Sequence, residues 1–239
     1  FMSSMANSFK LSSPLGVVGA LMQDRQPCII GDLKKRASLM PLTVTVTAPD
    51  NRPHVLRTEI ARERRLMPLL TSMVMTGAVS IAEPDPTEVA VTVRSKVAVR
   101  GHGVIELEDH LASADGLTPR VLQSSRGVRA LAELLANPFE PVVVERMDVD
   151  VKVEFRRDFA DIIDIALPED EIAPGATVPL KVTLRPYAGP DYTETVPVKF
   201  PRALGGQRVR VEVASGAYVK HEMARPENLR DWIANLRTY

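Results

Sequence analysis

Alternation of apolar and polar residues is the sequence feature that most restricts how this chain can fold. Within 142–155, Val149, Val151 and Val153 alternate with charged residues, so the valines occupy one face of a strand and the charges occupy the other. Short strands broken by proline and glycine are also expected within 7–33. Further strands are predicted at 42–47, 55–60, 89–99, 104–108, 162–167, 178–184, 196–200 and 209–213. A mainly β fold with some helix, of the α+β class, is the prediction.

Three segments change to the period of a helix. Apolar residues recur every three or four positions within 66–79, 117–135 and 226–239. In the first segment the repeating residues are Leu66, Leu69, Leu70, Met73 and Val74. Asn137-Pro138 is expected to end the second helix.

Composition excludes several classes of function. Thirty basic and thirty acidic residues cancel, so no overall field attracts nucleic acid or an anionic membrane. Aromatic residues make up 5%, too few for a surface that stacks single-stranded bases. The single cysteine, Cys28, excludes an internal disulfide, and no apolar run approaches the roughly 18 residues of a membrane span.

No complete active site can be read from the residues. The metal candidates are His102, Glu106, Asp109 and His110, but their spacing matches no zinc signature. On a strand, His102 and Glu106 would stand roughly 13 Å apart, too far to share one ion without a bend. No G-x-S-x-G serine elbow occurs, and Cys28 is expected to be a buried, inert thiol. No catalytic, cofactor-binding or metal-binding residue is therefore predicted.

The segment 6–33 contains four short motifs: Ser8-Phe9-Lys10, Val18-Gly19-Ala20-Leu21, Gln23-Asp24-Arg25 and Ile29-Ile30-Gly31. With these motifs the segment resembles the long, exported bacterial members of the SpoIVB-type serine peptidase family, in which glycine is usual at the position of Cys28. Weaker similarity continues at 137–141, 147–151 and 174–185. The G-M-S-G-S-P motif that carries the family's nucleophile is absent, because Met2-Ser3-Ser4-Met5 does not match it. No catalytic residue can be carried over.

The resemblance implies a non-catalytic accessory region that follows a peptidase core. The expected parts are a peptidase-domain remnant at 1–40, an α+β module at 41–155, an immunoglobulin-like sandwich at 156–216 and a helical segment at 217–239. The chain would be exported to the periplasm or cell envelope, where it would bind a protein partner or the parent enzyme's polypeptide substrate.

Two alternatives remain open. One is a free-standing β-rich binding module whose pocket is lined by Met67, Met73 and Met75. The other is a self-contained hydrolase or metal enzyme that uses His102, Asp109 and His110 with Cys28 or a serine. Convergence of those groups in one cleft would distinguish the enzyme from the binding module.

Overall fold

A computed structural model describes residues 2–3, 8–9, 16–25, 28–82, 89–113, 119–155, 159–215 and 224–238. The chain divides into two compact units. Unit 1 comprises residues 1–155 and 225–239, and unit 2 comprises residues 156–224. Unit 2 is therefore inserted into the sequence of unit 1.

Two short antiparallel ribbons begin unit 1. Strand β1 (Met2–Ser3) pairs with β2 (Ser8–Phe9), and β3 (Ala20–Arg25) pairs with β4 (Cys28–Asp32). Strands β2, β3 and β4 lie within 7–33, where short strands are expected, and β1 lies before that range. Gly19 precedes β3, and a Cβ atom there would overlap the backbone of Asp32, so the ribbon closes only around a glycine.

A five-stranded sheet forms the centre of unit 1. Its strands are β5 (Leu39–Thr47), β6 (Pro53–Ala61), β7 (Val89–Val99), β8 (Gly103–Ser113) and β9 (Val144–Glu154), in the order β6-β5-β9-β7-β8. The two predicted hairpins, β5–β6 and β7–β8, are confirmed. Strand β9 lies between them, parallel to β5 and antiparallel to β7.

Helices cover one face of this sheet, and the confirmed fold is β-rich with helices. The helices are α1 (Met67–Ala82), α2 (Pro119–Gln123), α3 (Arg126–Ala136) and α4 (Leu229–Thr238). The valine side of the alternating strands joins these helices in one buried core, in which Val44, Val93 and Leu131 are completely buried. The opposite face is charged, and Arg94 pairs there with Glu108 at 3.2 Å. The period-two pattern is therefore expressed as one covered face and one solvated face.

Helix α1 forms where predicted, but it buries a different face. The predicted stripe contains Leu69 and Met73, and both are exposed. Met75 and Val79 are buried instead, together with Thr71. The Thr71 hydroxyl donates to the Met67 carbonyl at 2.8 Å, so its burial leaves no polar group unpaired. A helix with apolar residues around most of its circumference does not reveal its packed face by periodicity.

Unit 2 contains one antiparallel sheet of three strands among its described residues. Strands β10 (Ala160–Ala166), β11 (Thr177–Pro186) and β12 (Tyr192–Lys199) follow one another in space as they do in sequence. Residues 207–215 are not in a strand, so the strand predicted at 209–213 is wrong. A second sheet, which the predicted sandwich needs, is not found within 159–215. A short 3-10 helix, Arg202–Leu204, follows β12.

None of the helices among the described residues is both long and apolar enough to cross a lipid bilayer.

Candidate functional site

The structure separates the residues that sequence analysis considered for a metal site. His102 lies in the turn between β7 and β8, and its Nε2 is 3.6 Å from Glu140 Oε1. His110 lies on the charged face of the sheet, where Nδ1 is hydrogen-bonded to the Thr92 hydroxyl at 3.1 Å. Glu106 pairs on that face with Lys96 at 3.3 Å. Within the described ranges, no three His, Cys, Asp or Glu side chains gather closely enough to hold a metal ion.

Asp109 points to the opposite face of β8 from His110. Its Oδ2 accepts a hydrogen bond of 2.8 Å from the backbone N–H of Arg126, at the start of α3. Burial raises the pKa of the Asp109 carboxyl, and the hydrogen bond from Arg126 opposes that effect. Asp109 therefore caps a helix, and it does not face the histidines with which it was grouped.

The remaining candidate residues are dispersed as well. Cys28 is exposed, so the prediction of a buried thiol is wrong. Of the other two histidines, His54 lies in β6 and His221 is outside the described residues. Met75 is in the core, Met73 is exposed and Met67 alone of the three borders the groove described next. The three methionines therefore do not line one pocket.

A groove of about 560 Å³ lies at one end of the sheet of unit 1. One wall is the loop 137–143 that joins α3 to β9, and the other is the turn 62–67 that leads into α1. Asn137 fixes the loop, because its Oδ1 accepts the backbone N–H groups of Phe139 at 3.0 Å and Glu140 at 3.1 Å. The lining residues are Arg62, Arg64, Met67, Leu135, Asn137, Pro138, Phe139, Glu140, Pro141, Val142, Val143 and Val144.

Arg62 holds the base of the groove together. Its guanidinium donates to the carbonyl of Leu39 at 2.8 Å, to the carbonyl of Val144, and to the carbonyl of Glu145 at 3.2 Å. It thereby joins the beginnings of β5 and β9. These acceptors are neutral, so the positive charge of Arg62 has no carboxylate against it among the described residues.

Arg64 is the exposed cation of the groove. Within the part of the chain that the structure describes, its side chain makes no hydrogen bond or ion pair. The carboxylate of the neighbouring Glu63 forms hydrogen bonds with the backbone, because its Oε2 accepts the N–H groups of Arg65 and Leu66, each at 2.8 Å. Glu63 therefore caps the turn before α1, and Arg64 is left facing solvent.

The loop wall is connected to the C-terminal helix by an aromatic contact. The rings of Phe139 and Trp232 meet edge to face, with centroids 6.0 Å apart and planes inclined at 70°. Trp232 Nε1 is buried and lacks a hydrogen-bond partner among the described residues. Sequence reasoning missed the groove because the turn before α1, the loop after α3 and the beginning of β9 meet there only in the folded chain.

A second exposed apolar surface is the ribbon of β3 and β4. The large apolar side chains of the ribbon and of the residues beside it are exposed: Val17, Val18, Leu21, Met22, Ile29, Ile30 and Leu33. Ile29 is 70% exposed and Leu33 is 77% exposed, whereas the central valines of the five-stranded sheet are buried. Exposed apolar patches of this kind are typical of interaction surfaces.

Unit 2 has a cleft of its own, of about 730 Å³, between its sheet and the segment that follows β12. Ile165, Leu180 and Phe200 form its apolar side, and Asp170 and Arg208 lie at its border.

Comparison with protein-family models, with curated proteins and with solved structures finds no match for this chain. The geometry of its surfaces therefore carries the functional argument.

Proposed function

We propose that this chain is a non-catalytic interaction region of an exported SpoIVB-like serine peptidase, active in the periplasm or cell envelope. The observation that carries the proposal is the β3–β4 ribbon. Four of the residues that resemble the peptidase family also contribute to this exposed apolar surface: Val18, Leu21, Ile29 and Ile30. A segment inherited from a larger β domain would have this property, because its covering layer would belong to the peptidase core.

The energetics favour a covering partner. Fully burying an aliphatic side chain is worth about 1.5–3 kcal/mol, and the ribbon presents several such side chains together. Association with another polypeptide would remove this surface from water. Among the described residues β3 and β4 pair only with each other, so the outer edges of this ribbon offer backbone groups to an added strand.

The test is association with a separately produced SpoIVB-type peptidase core whose catalytic serine is replaced by alanine. Sedimentation velocity should detect a complex, and Ile29→Ser should weaken it about tenfold or more, since one buried isoleucine is worth that much. Ile81→Ser on α1 is the matched control, because Ile29 and Ile81 are both 70% exposed. Failure to associate, or equal weakening by both variants, would refute the proposal.

A free-standing binding module is the second candidate, and the groove of unit 1 favours it. The groove combines apolar walls with an exposed arginine, which is the composition of a ligand site. This function would not need a peptidase core, so ligand binding without any association with the core would favour it over the first proposal.

A further inference from the structure

We propose that the groove of unit 1 binds the C-terminal end of an apolar peptide, with the terminal carboxylate facing Arg64. This inference goes beyond the proposed function, because it assigns a ligand to a surface separate from the β3–β4 ribbon. It rests on the volume, the lining and the charge of the groove.

The groove has the size and walls to hold one large side chain of a peptide. Its volume of about 560 Å³ lies within the roughly 300–1,000 Å³ typical of small-ligand sites. Met67, Leu135, Phe139 and Val142 provide apolar surface. Pro138 and Pro141 add further apolar contact, and neither has a backbone N–H to offer. An aliphatic or aromatic side chain suits these walls.

The charges of the groove favour an anion. Arg62 and Arg64 are the two cations of the lining, and Glu140 is its one acidic residue. Glu140 is 3.6 Å from His102 Nε2, an interaction that becomes an ion pair when the histidine is protonated. The nearby Glu145 is engaged with Arg100 at 3.0 Å. A carboxylate of the ligand would therefore meet a positive charge that no described residue neutralises.

The C-terminal end of a peptide supplies both the apolar side chain that suits the walls and the carboxylate that suits the charge. The last residue of a peptide carries an apolar side chain and a carboxylate on the same Cα atom. An internal acidic residue instead presents its carboxylate separately from the neighbouring apolar side chain, and its chain must leave the groove at both ends. The loop 137–143 borders the groove, and Pro138 and Pro141 offer no backbone N–H with which a passing strand could pair, which favours a chain end.

The protein contains its own reporter for binding. Trp232 is the only tryptophan in the chain, and its ring contacts Phe139 in the groove wall. A ligand that packs on Phe139 should change the environment of Trp232 and hence its fluorescence. The probe is the peptide acetyl-Ala-Ala-Phe with a free carboxylate, titrated into the full chain and checked by calorimetry.

The free acid should bind saturably, and the same peptide with a C-terminal amide should bind at least about tenfold more weakly, since a charge-assisted hydrogen bond contributes that much. Arg64→Gln should abolish the preference for the acid, and Arg64→Glu should reverse it. Arg65→Gln is the matched control, because Arg65 is adjacent in sequence and does not line the groove. The control should retain the preference.

Equal binding of acid and amide by the parent chain, or no binding of either, would overturn the inference. Equal binding of acetyl-Ala-Asp-Phe-amide would also overturn it, because the recognised carboxylate would then be that of a side chain. Ile29→Ser should leave peptide binding unchanged. Failure of the parent chain to associate with the core, with peptide binding retained, would thus count against the proposed function alone.

Discussion

The two units of this chain use the same alternating pattern with different results. In unit 1 the apolar sides of the strands lie beneath α1, α3 and α4, and the central valines are buried. In unit 2 the three-stranded sheet buries Leu180 and Val182, while Ile165 and Val196 remain more than two-fifths exposed. Alternation therefore specifies which residues share a face, but a second layer decides whether that face is buried.

The largest expected difference between the units is the cost of losing a leucine. Leu131 is 0% exposed at the centre of the α3 contact with the sheet, so Leu131→Ala should destabilise unit 1 by about 2–5 kcal/mol. Urea unfolding followed by Trp232 fluorescence measures this loss, because Trp232 belongs to unit 1. The matched change in unit 2 is Leu167→Ala, whose side chain is exposed and whose cost should be about 1 kcal/mol or less. Hydrogen exchange of β10 and β11 measures the stability that unit 2 loses in Leu167→Ala. Equal losses of stability in the two variants would contradict the expected difference.

A glycine substitution tests how closely the two layers of unit 1 pack. A Cβ atom at Gly127 of α3 would overlap the side chain of Ser95 on β7, so Gly127→Ala should cost about 1–3 kcal/mol. Gly77 of α1 has no atom within 4 Å of an added Cβ, so Gly77→Ala should raise stability by about 0.5–1 kcal/mol through helix propensity. Thermal and urea unfolding of both variants would give opposite shifts.

A rescue experiment identifies the cause of the Gly127 effect. Both overlapping atoms belong to Ser95, so Ser95→Gly combined with Gly127→Ala should cost less than the two single changes added together. Simple additivity would show that the overlap with Ser95 is not the source of the loss.

The smallest expected effects are on the pH dependence of stability. They come from one aspartate in each unit, and the pKa values of the two aspartates are shifted in opposite directions. Burial raises the pKa of Asp109 in unit 1, whereas the hydrogen bond from Arg185 lowers the pKa of Asp191 in unit 2. Arg185 holds Asp191 through two contacts, of 3.0 Å and 2.9 Å. Carbon-detected NMR titration should therefore place the Asp109 midpoint above that of an ordinary aspartate and the Asp191 midpoint below it.

The stability consequences follow from proton linkage. The folded form of unit 1 holds the Asp109 proton more tightly than the unfolded form does. The contribution of Asp109 to the stability of unit 1 therefore declines as pH rises from the ordinary aspartate pKa to the raised one. The Asp191 contribution is present above the ordinary pKa and is lost as pH falls through the lowered one. Asp109→Asn and Asp191→Asn should remove these opposite slopes from the respective unfolding curves, and slopes of the same sign would contradict the assignment.

The local parts of the fold were predictable from sequence, and the assembly of those parts was not. The hairpins β5–β6 and β7–β8 join neighbouring strands across short turns, so alternation and turn residues suffice to predict them. The parallel pairing of β5 with β9 places Val44 opposite Val149, and no local pattern indicates such a partner. The segment 209–213 has the alternation of a strand, but it pairs with no strand among the described residues and forms none.

Predicting the groove from sequence would have required the same long-range information. Its walls come from the turn before α1 and the loop after α3, and Arg62 joins them through carbonyls that no sequence motif identifies. Phe139 offered a faint signal, since an aromatic residue between two prolines at 138–141 has no helical or strand pattern to bury it. Its contact with Trp232, in a helix 90 residues later, could not be anticipated from spacing.

The insertion of unit 2 into the sequence of unit 1 imposes an order on synthesis. The ribosome completes residues 1–155 and then all of unit 2 before it makes α4. Until then the nascent sheet lacks the helix that supplies Leu229, Ile233 and Leu236 to its core, and Phe139 lacks its tryptophan. The growing chain must therefore carry an unfinished first unit while the second one emerges, and the packing of α4 completes unit 1 and supports Phe139 in the groove wall.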